Sequence, residues 1–355
     1  MKIAIEPKAF SDESLNSWLI RSSIANGSDP RSFYIALWEE YKAWNKDLDK
    51  HLLKQQAYSL AKMTALTPEE IKNLTLEPYL QKIIDKPLNP LGLWYFLIPR
   101  GRRGLSQTNG MHFCSKCLSD SIPYLKRQWR LAWNIGCPIH KIKLLNRCPS
   151  CKIIFSPQLL KYDTPKMYLC SSCGFDLRDS ETTPADEKAL KFQEILNKAI
   201  FNAQTTSFPA LHTQSLQDLF MIIRSVIPFF LQTYKLKKYH LFFETLNLNI
   251  GYMEENKIMH VFEKMSVDDR EFLLKLTYQF LQIDIETTKE LLQRLETTNK
   301  AFSSKPASMS PTILYLSKFL KIIDSSKIKN PKQYAIKPNT KDEVSRLYSE
   351  LLELI

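Results

Sequence analysis

Seven cysteines and one histidine form the most regular set of chemistry-bearing residues in this 355-residue chain. They occur as pairs whose members are three positions apart, with 19 residues between the first and second pairs and 18 between the third and fourth. Two ligands at this spacing can bind one metal ion from a tight turn, and a second pair completes a tetrahedron. The pattern predicts two complete ligand sets: Cys114, Cys117, Cys137 and His140, then Cys148, Cys151, Cys170 and Cys173.

These donor types favour two structural zinc ions. Four protein ligands leave no open position for water, which a catalytic zinc site needs. Disulfides fit less well, because an odd number of cysteines leaves one thiol unpaired. An iron–sulfur cluster is disfavoured by the histidine in one set. We expect each ion to be bound by consecutive pairs, with a cross-braced pairing as the alternative, and we expect His112 to lie at the surface rather than among the ligands.

The positive charge of the chain is concentrated around the cysteines. The net charge is +12, and residues 98–161 contain twelve basic residues and one acidic residue, Asp120, which gives this segment +11. Such a segment suits a nucleic-acid backbone, although a solvated basic face that offsets thiolate charge would look the same. The residues predicted to face nucleic acid are Arg100, Arg102, Arg103, Lys126, Arg127, Arg130, Lys141, Lys143 and Arg147.

Helical patterning on both sides of the cysteines predicts the elements that must position them. We expect a mainly α protein with small zinc-ribbon β elements. The predicted domains are an N-terminal helical domain with a helix-turn-helix (1–105), tandem zinc ribbons (106–182) and a C-terminal helical domain (183–355). The first helix should be capped by Ser11 or Asp12 and the second by Asp29, which precedes a proline. Later in the chain Ser266 and Thr340 should mark two helix starts, and apolar stripes predict helices that include 313–323 and 344–354.

The helix-turn-helix is predicted from a helix ending near Met63 and a second one capped by Thr67, with Glu70 closing a capping box. A DNA-reading helix uses its N-terminal residues at the bases, and this helix begins with Glu69 and Glu70. Because carboxylates repel phosphates, the hairpin is at least as well explained as a core or protein-docking element.

Several classes of function are disfavoured by the sequence. With 44% hydrophobic and 24% charged residues, the composition is that of an ordinary globular protein. No nucleophile-elbow or phosphate-loop motif occurs, so we expect no enzymatic activity. The N-terminus lacks the apolar core of a signal peptide, and the most apolar run, 219–231, is too short to span a bilayer. We therefore expect a soluble cytoplasmic protein.

Ordered motifs over the first half of the chain resemble the TniQ/TnsD family, the target-selection proteins of transposons with multi-protein transposases. The N-terminal motifs are FSDESLNSWLIR at 10–21, LA at 60–61, TPE at 67–69 and LTL at 74–76. The most specific ones surround the cysteines and are FCSKCL at 113–118, WRLAW at 129–133, CPIH at 137–140 and LLNRCPSC at 144–151.

The resemblance implies a non-catalytic adaptor. Such proteins recognise a target through attachment-site DNA or a CRISPR RNA-guided effector complex, and they recruit a AAA+ ATPase regulator. Family members of this kind work in the bacterial cytoplasm, associated with the nucleoid. The chain is shorter than attachment-site readers usually are, which favours RNA-guided targeting. The oligomeric state stays open, a homodimer included. The alternatives are a free-standing sequence-specific DNA-binding regulator and a zinc-dependent nuclease, which would require an open metal site.

Overall fold

The computed structural model describes most of the chain as far as residue 322 and a few residues beyond it. The described residues are 2–39, 41–84, 87–90, 92–100, 102–103, 106–107, 110–161, 163, 166–204, 206–235, 261–298, 301–302, 309–322, 340, 342–343, 345–346 and 349. Contacts divide the chain into a unit Met1–Lys321 and a unit Ile322–Ile355. In the second unit, Thr340 and Glu343 cap one another as predicted, and most of the predicted helix at 344–354 lies outside the described residues.

The N-terminal region is helical, as the sequence predicts. Its helices are α1 (Leu15–Ala25), α2 (Pro30–Leu37), α3 (Lys54–Met63), α4 (Pro68–Asn73) and α5 (Glu77–Leu80). Asp29 caps α2 and the Thr67–Glu70 capping box begins α4, both as predicted. The cap of α1 is Ser14, whose hydroxyl accepts the backbone N–H of Ser17.

The predicted caps Ser11 and Asp12 are therefore wrong, and the carboxylate of Asp12 has another role. It accepts hydrogen bonds from the hydroxyl of Tyr124 and the ammonium of Lys126, both at 2.8 Å. The start of α1 is thereby bound to the cysteine segment more than 100 residues further along the chain.

The cysteine segment contains only short β elements. An antiparallel pair is formed by β1 (Arg102–Arg103) and β2 (Ser106–Gln107), and a second by β3 (Gly136–Cys137) and β4 (Ile142–Lys143). In the second pair Gly136 faces Lys143 and Cys137 faces Ile142, so one ligand pair lies at the turn of a hairpin. This confirms a mainly helical fold with ribbon-like β elements at the cysteines.

The C-terminal region is again helical. Its helices are α6 (Glu187–Asn202), α7 (Leu216–Lys235), α8 (Val267–Leu281), α9 (Ile285–Arg294) and α10 (Pro311–Ser317). Ser266 caps α8 as predicted, whereas α10 ends at Ser317, before the end of the predicted apolar stripe at 323. No helix in the described part of the chain is both long and apolar enough to cross a membrane.

Buried apolar side chains form three clusters. One lies among α1 to α4, and a second surrounds the cysteines. The third joins residues 76–98 and 131–135 to the C-terminal helices. Because this largest core takes residues from all three predicted segments, the ribbon segment is held between helices on both sides. The domain boundaries at 105 and 182 stay a prediction.

Candidate metal centres

The structure brings the predicted ligands together as two separate groups of four donor atoms, each within 4.8 Å of one another. The first cluster is Cys114, Cys117, Cys137 and His140, and the second cluster is Cys148, Cys151, Cys170 and Cys173. Consecutive pairs meet in both cases, as the sequential pairing predicts.

In the first cluster the imidazole presents Nδ1 to three sulfur atoms. The Nδ1 of His140 lies 3.4 Å from the Sγ of Cys114, 3.4 Å from that of Cys117 and 3.5 Å from that of Cys137. The sulfurs of Cys117 and Cys137 are 3.6 Å apart. In the second cluster, the Cys148–Cys173 and Cys151–Cys170 sulfur pairs are each 3.7 Å apart.

These separations fit a single tetrahedral ion. Zinc bonds of about 2.3 Å to sulfur and 2.0–2.1 Å to nitrogen give edges of about 3.8 Å between sulfurs and about 3.6 Å between sulfur and nitrogen. The observed edges are within a few tenths of an ångström of both values. A disulfide would instead require sulfurs about 2 Å apart, and all seven cysteines are free thiols.

The backbone around each ligand pair is shaped like a metal-binding knuckle. In all four pairs the carbonyl of the first ligand accepts the N–H of the residue four positions later, from Cys114 to Leu118 in the first and from Cys170 to Gly174 in the last. In three pairs the residue after the second ligand has a left-handed backbone: Lys141 (φ 54°), Lys152 (φ 59°) and Gly174 (φ 74°). The remaining pair, Cys114 and Cys117, continues into a short 3₁₀ helix, Cys117–Ser119.

The first cluster is anchored to helices on two sides. The α carbon of Gly136, next to Cys137, lies so close to α6 that a methyl group there would be 2.7 Å from Leu190 Cδ2. On the other side, the fully buried Arg270 of α8 donates to His112 Nε2 and to the carbonyl of Ala132, both at 2.8 Å. Helices from far along the chain thus fix the loop that holds this cluster.

His112 is therefore not a surface residue, contrary to the sequence-based expectation. Its side chain is 1% exposed, because Arg270 covers it, and it is not among the ligand donors. Burial and the neighbouring Arg270 and Arg130 cations lower its pKa well below the ordinary value.

The second cluster is held by local hairpins. The N–H of Cys148 donates to the carbonyl of Ile153, and that of Cys170 donates to the carbonyl of Phe175, both at 2.9 Å. Between these hairpins a 3₁₀ helix, Pro157–Leu159, packs against α1 and α2. Cys151 is half-buried and Cys173 is exposed, so this cluster faces solvent on one side.

Two of the predicted nucleic-acid residues are buried and bound within the protein. Arg130 is 1% exposed, and its guanidinium donates to the carboxylates of Asp47 and Asp49 at 2.7–3.2 Å. Burial disfavours the charged form of both Asp47 and Arg130, but the attraction and hydrogen bonds between them outweigh it. The pKa of Asp47 is therefore lowered and that of Arg130 is raised. Arg127 is 7% exposed and donates to the carbonyls of Ser11 and Asn73. Neither guanidinium is placed to contact a phosphate.

Two lysines of the predicted set form ion pairs within the protein. Lys126 binds Asp12, as described above, and Lys143 on β4 lies 2.8 Å from Glu271 and 2.5 Å from Asp268. Their carboxylate partners raise the pKa of both lysines although burial opposes it. These residues connect the ribbon segment to α1 and α8.

The remaining basic residues have different surroundings. Lys141 and Arg147 are exposed, and Arg147 donates to the backbone carbonyl of Lys152. Arg100 is half-buried and lines a cleft. Arg102 and Arg103 form β1, and their side chains lie outside the described part of the structure. Contact with nucleic acid thus stays a prediction for Arg100, Arg102, Arg103, Lys141 and Arg147.

Sequence reasoning missed the buried acidic residues that bind basic side chains within the protein. Asp47 and Asp49 precede their partner Arg130 by more than 80 residues. Glu13, fully buried at the start of α1, accepts from the Ser17 hydroxyl at 2.7 Å and lies 3.4 Å from Arg21. Burial raises the pKa of Glu13 to about 7 despite the nearby Arg21. The Asp-x-Asp pair at 47–49 was the one available signal for a buried partner.

The helix-turn-helix forms as predicted, but its second helix is short. Leu60 of α3 and Ile71 of α4 are fully buried, and both belong to the apolar cluster between these helices. Helix α4 has six residues, and Glu70 is held in the capping box while Glu69 is exposed. An exposed carboxylate at this end favours contact with protein over contact with DNA.

The geometry agrees with a family comparison over the N-terminal part of the chain. Residues 4–144 match the TniQ family model. No curated protein matches the chain significantly. The matched region includes the helix-turn-helix and all four donors of the first cluster, and it ends before Cys148. Over residues 4–144, about two fifths of its length, the chain is therefore similar to the TniQ family.

Proposed function

We propose that this protein is a non-catalytic target-selection adaptor of a DNA transposon, which links a target-recognition module to a AAA+ transposition regulator. The observation that carries the proposal is the TniQ match over residues 4–144, because a TniQ domain implies a transposon-associated target-selection protein. The target-recognition module is a CRISPR RNA-guided effector complex or attachment-site DNA, and we favour the RNA-guided complex.

Two structural zinc ions complete the proposed protein. The first would be held by Cys114, Cys117, Cys137 and His140, and the second by Cys148, Cys151, Cys170 and Cys173. Zinc suits these donors because it accepts three or four thiolates in a tetrahedron, and the donor separations match its edges. With every position taken by protein, such ions stabilise the fold and offer no site for an attacking water, which argues against a nuclease.

The hairpin of α3 and α4 is the proposed docking surface for the AAA+ regulator. Two exposed apolar side chains belong to α3 and its cap, Leu53 (44% exposed) and Tyr58 (50% exposed), and the exposed Glu69 lies in the first turn of α4. Half-exposed aromatic residues are typical of protein interfaces. An exposed carboxylate on the same hairpin suits a basic protein partner better than a phosphate backbone.

A co-purification experiment tests the proposal. The tagged full chain is expressed with the AAA+ regulator and the CRISPR effector encoded beside it, and the captured proteins are measured. We expect both to be retained, and Tyr58→Ser to lose the regulator while it keeps the effector. Ile122→Ser, which changes another exposed apolar residue (54% exposed), is the matched control and should change neither.

Two outcomes would contradict the proposal. Retention of neither partner by the folded, zinc-loaded protein would exclude the adaptor function. Tight, site-selective binding of duplex DNA by the isolated chain would favour a free-standing DNA-binding regulator instead. Loss of the regulator by Ile122→Ser rather than Tyr58→Ser would reject the assigned docking surface.

A further inference from the structure

A cleft of about 600 Å³ opens between the turn at residues 44–46 and the second cluster. Its lining includes Trp44, Lys46, Arg100, Gln158 and Lys161. Ser171 and Ser172, the two residues between the ligands Cys170 and Cys173, add hydroxyl groups to its wall. The volume is in the usual range for a small-molecule site.

The electrostatic character of the cleft is cationic. Lys46, Arg100 and Lys161 all line it, and the described lining residues include no carboxylate. Lys46 and Lys161 are exposed, so their ammonium groups can turn toward an anion at the mouth. This arrangement favours an anionic occupant.

Two buried polar atoms at the cleft have no hydrogen-bond partner among the described residues. One is the Nη1 donor of Arg100, and the other is the Oε1 acceptor of Gln158, whose side chain is 7% exposed. A buried polar atom without a hydrogen-bond partner is energetically unfavourable, because it has lost its contact with water. A ligand that brings both an acceptor and a donor would satisfy both atoms.

An aromatic wall completes the cleft. Trp44 is half-buried, and the guanidinium of Arg31 lies 5.3 Å from its ring centroid. Ile153, 36% exposed, also lines the cleft. A flat apolar surface beside several cations is the combination that single-stranded nucleic-acid sites use, because bases stack on aromatic rings while cations bind phosphates.

We infer that this cleft binds one unstacked nucleotide of a single-stranded nucleic acid. The phosphate contacts Arg100 and Lys46, the base packs against Trp44, and an amino group of the base donates to Gln158 Oε1. This inference rests on the proposed function, because target selection brings the protein to a nucleic acid whose strands are separated. A free mononucleotide has the same chemistry, so the experiment separates the two sources.

The test is fluorescence anisotropy with a labelled short single-stranded oligonucleotide, titrated with the zinc-loaded full chain at several salt concentrations. Arg100→Gln and Lys46→Gln should each weaken binding and reduce the magnitude of the salt slope by about 0.7. Trp44→Leu should weaken binding about tenfold and leave the salt slope unchanged. Lys62→Gln, at an exposed lysine of α3 that does not line the cleft, is the charge-matched control and should change little.

Defined outcomes overturn the inference. They are absence of oligonucleotide binding by the wild-type chain, equal binding of the corresponding duplex, or equal loss in Lys62→Gln and Arg100→Gln. Competition by adenosine monophosphate as strong as that by the unlabelled oligonucleotide would assign the cleft to free nucleotides. Melting temperatures of all variants ensure that a loss of binding is not a loss of fold, and Arg100→Gln keeps the test decisive if Trp44→Leu does not fold.

The co-purification experiment separates this inference from the proposed function. Oligonucleotide binding without capture of the AAA+ regulator would support the cleft and reject the adaptor. Capture of the regulator without oligonucleotide binding would support the adaptor and reject the nucleotide-binding cleft.

Discussion

The two cysteine clusters have the same knuckle geometry but different surroundings. The first lies inside the TniQ match, and three of its four ligands are buried while His140 is half-buried. Long-range contacts hold it, from Gly136 to α6 and from His112 to Arg270 of α8. The second lies beyond the match and has an exposed ligand in Cys173. It is held by its own hairpins and by the 3₁₀ helix Pro157–Leu159 between them, which packs against α1 and α2.

This difference indicates two uses of one local motif. The first cluster is part of the framework, because the N-terminal and C-terminal helices both pack on its loop. The second cluster builds a wall of the cationic cleft, to which Ser171 and Ser172 contribute. Losing the first should therefore affect the whole Met1–Lys321 unit, whereas losing the second should remain local.

The largest predicted effect comes from removing one thiolate from each cluster. Cys137→Ser should destabilise the Met1–Lys321 unit by about 4 kcal/mol or more, because the metal contributes directly to folding. Cys170→Ser, and likewise Cys148→Ser, should unfold only the second ribbon. Zinc content per chain and hydrogen-exchange mass spectrometry measure both effects.

The expected metal content is about two zinc ions in the wild type and about one in each cysteine variant. Ser150→Ala, between the ligands Cys148 and Cys151, is the control and should keep full zinc content. If Cys170→Ser exposed the helices as widely as Cys137→Ser, the comparison of the two clusters would be wrong.

The second predicted effect is a pH dependence of the region that packs on the first cluster. Burial raises the pKa of Glu13 from 4.5 to about 7, so the folded state holds a proton that the unfolded state releases. Stability should fall as the pH rises from about 4.5 through about 7, by up to about 3 kcal/mol. Denaturant unfolding across this range measures the dependence.

Glu13→Gln should flatten that pH profile, because glutamine cannot ionise. The exposed Glu69→Gln is the matched control and should leave the profile unchanged. A profile that is equally steep in Glu13→Gln would show that another group is responsible.

The third predicted effect is the loss of stability when a glycine beside each cluster is replaced by alanine. Gly136→Ala places a methyl group 2.7 Å from Leu190 Cδ2 and 2.9 Å from Ala185 Cβ, and this overpacking should cost about 2–3 kcal/mol. Gly174→Ala meets nothing within 4 Å but must adopt φ +74°, which should cost about 1 kcal/mol. Chemical denaturation of each variant measures the two costs, and a larger cost for Gly174→Ala would contradict the assigned roles.

The smallest predicted effect is a gain in stability when the left-handed residue after each ligand pair becomes glycine, and it should be equal in the two clusters. Lys141→Gly and Lys152→Gly relieve left-handed backbones of φ 54° and 59°, and each should stabilise by about 0.5–1 kcal/mol. Lys116, with φ −70°, provides the control, because glycine there should bring no gain. Unequal gains, measured from melting temperatures with zinc bound, would show that the two knuckles differ locally.

The predictions that succeeded depend on neighbours in the sequence. Thr67 and Glu70 cap α4 as predicted because both lie within one helical turn. The two ligands of each pair lie together as predicted because one tight turn joins them. The prediction for His112 failed because Arg270, 158 residues away, buries it, and no local pattern announces such a contact.

The type and spacing of the ligands were determined by the sequence alone, because each knuckle is a turn of a few residues. Which cations remain free was decided only by the tertiary structure. Both terminal nitrogens of Arg127 and of Arg130 donate to groups far away in the chain, whereas Nη1 of Arg100 has no partner among the described residues and lies at a cleft. The net charge of a segment can be summed from the sequence, but whether each cation is available for a ligand depends on long-range packing. That packing brings carboxylates and carbonyls to some cations and leaves an N–H group of another without a partner in the described part of the chain.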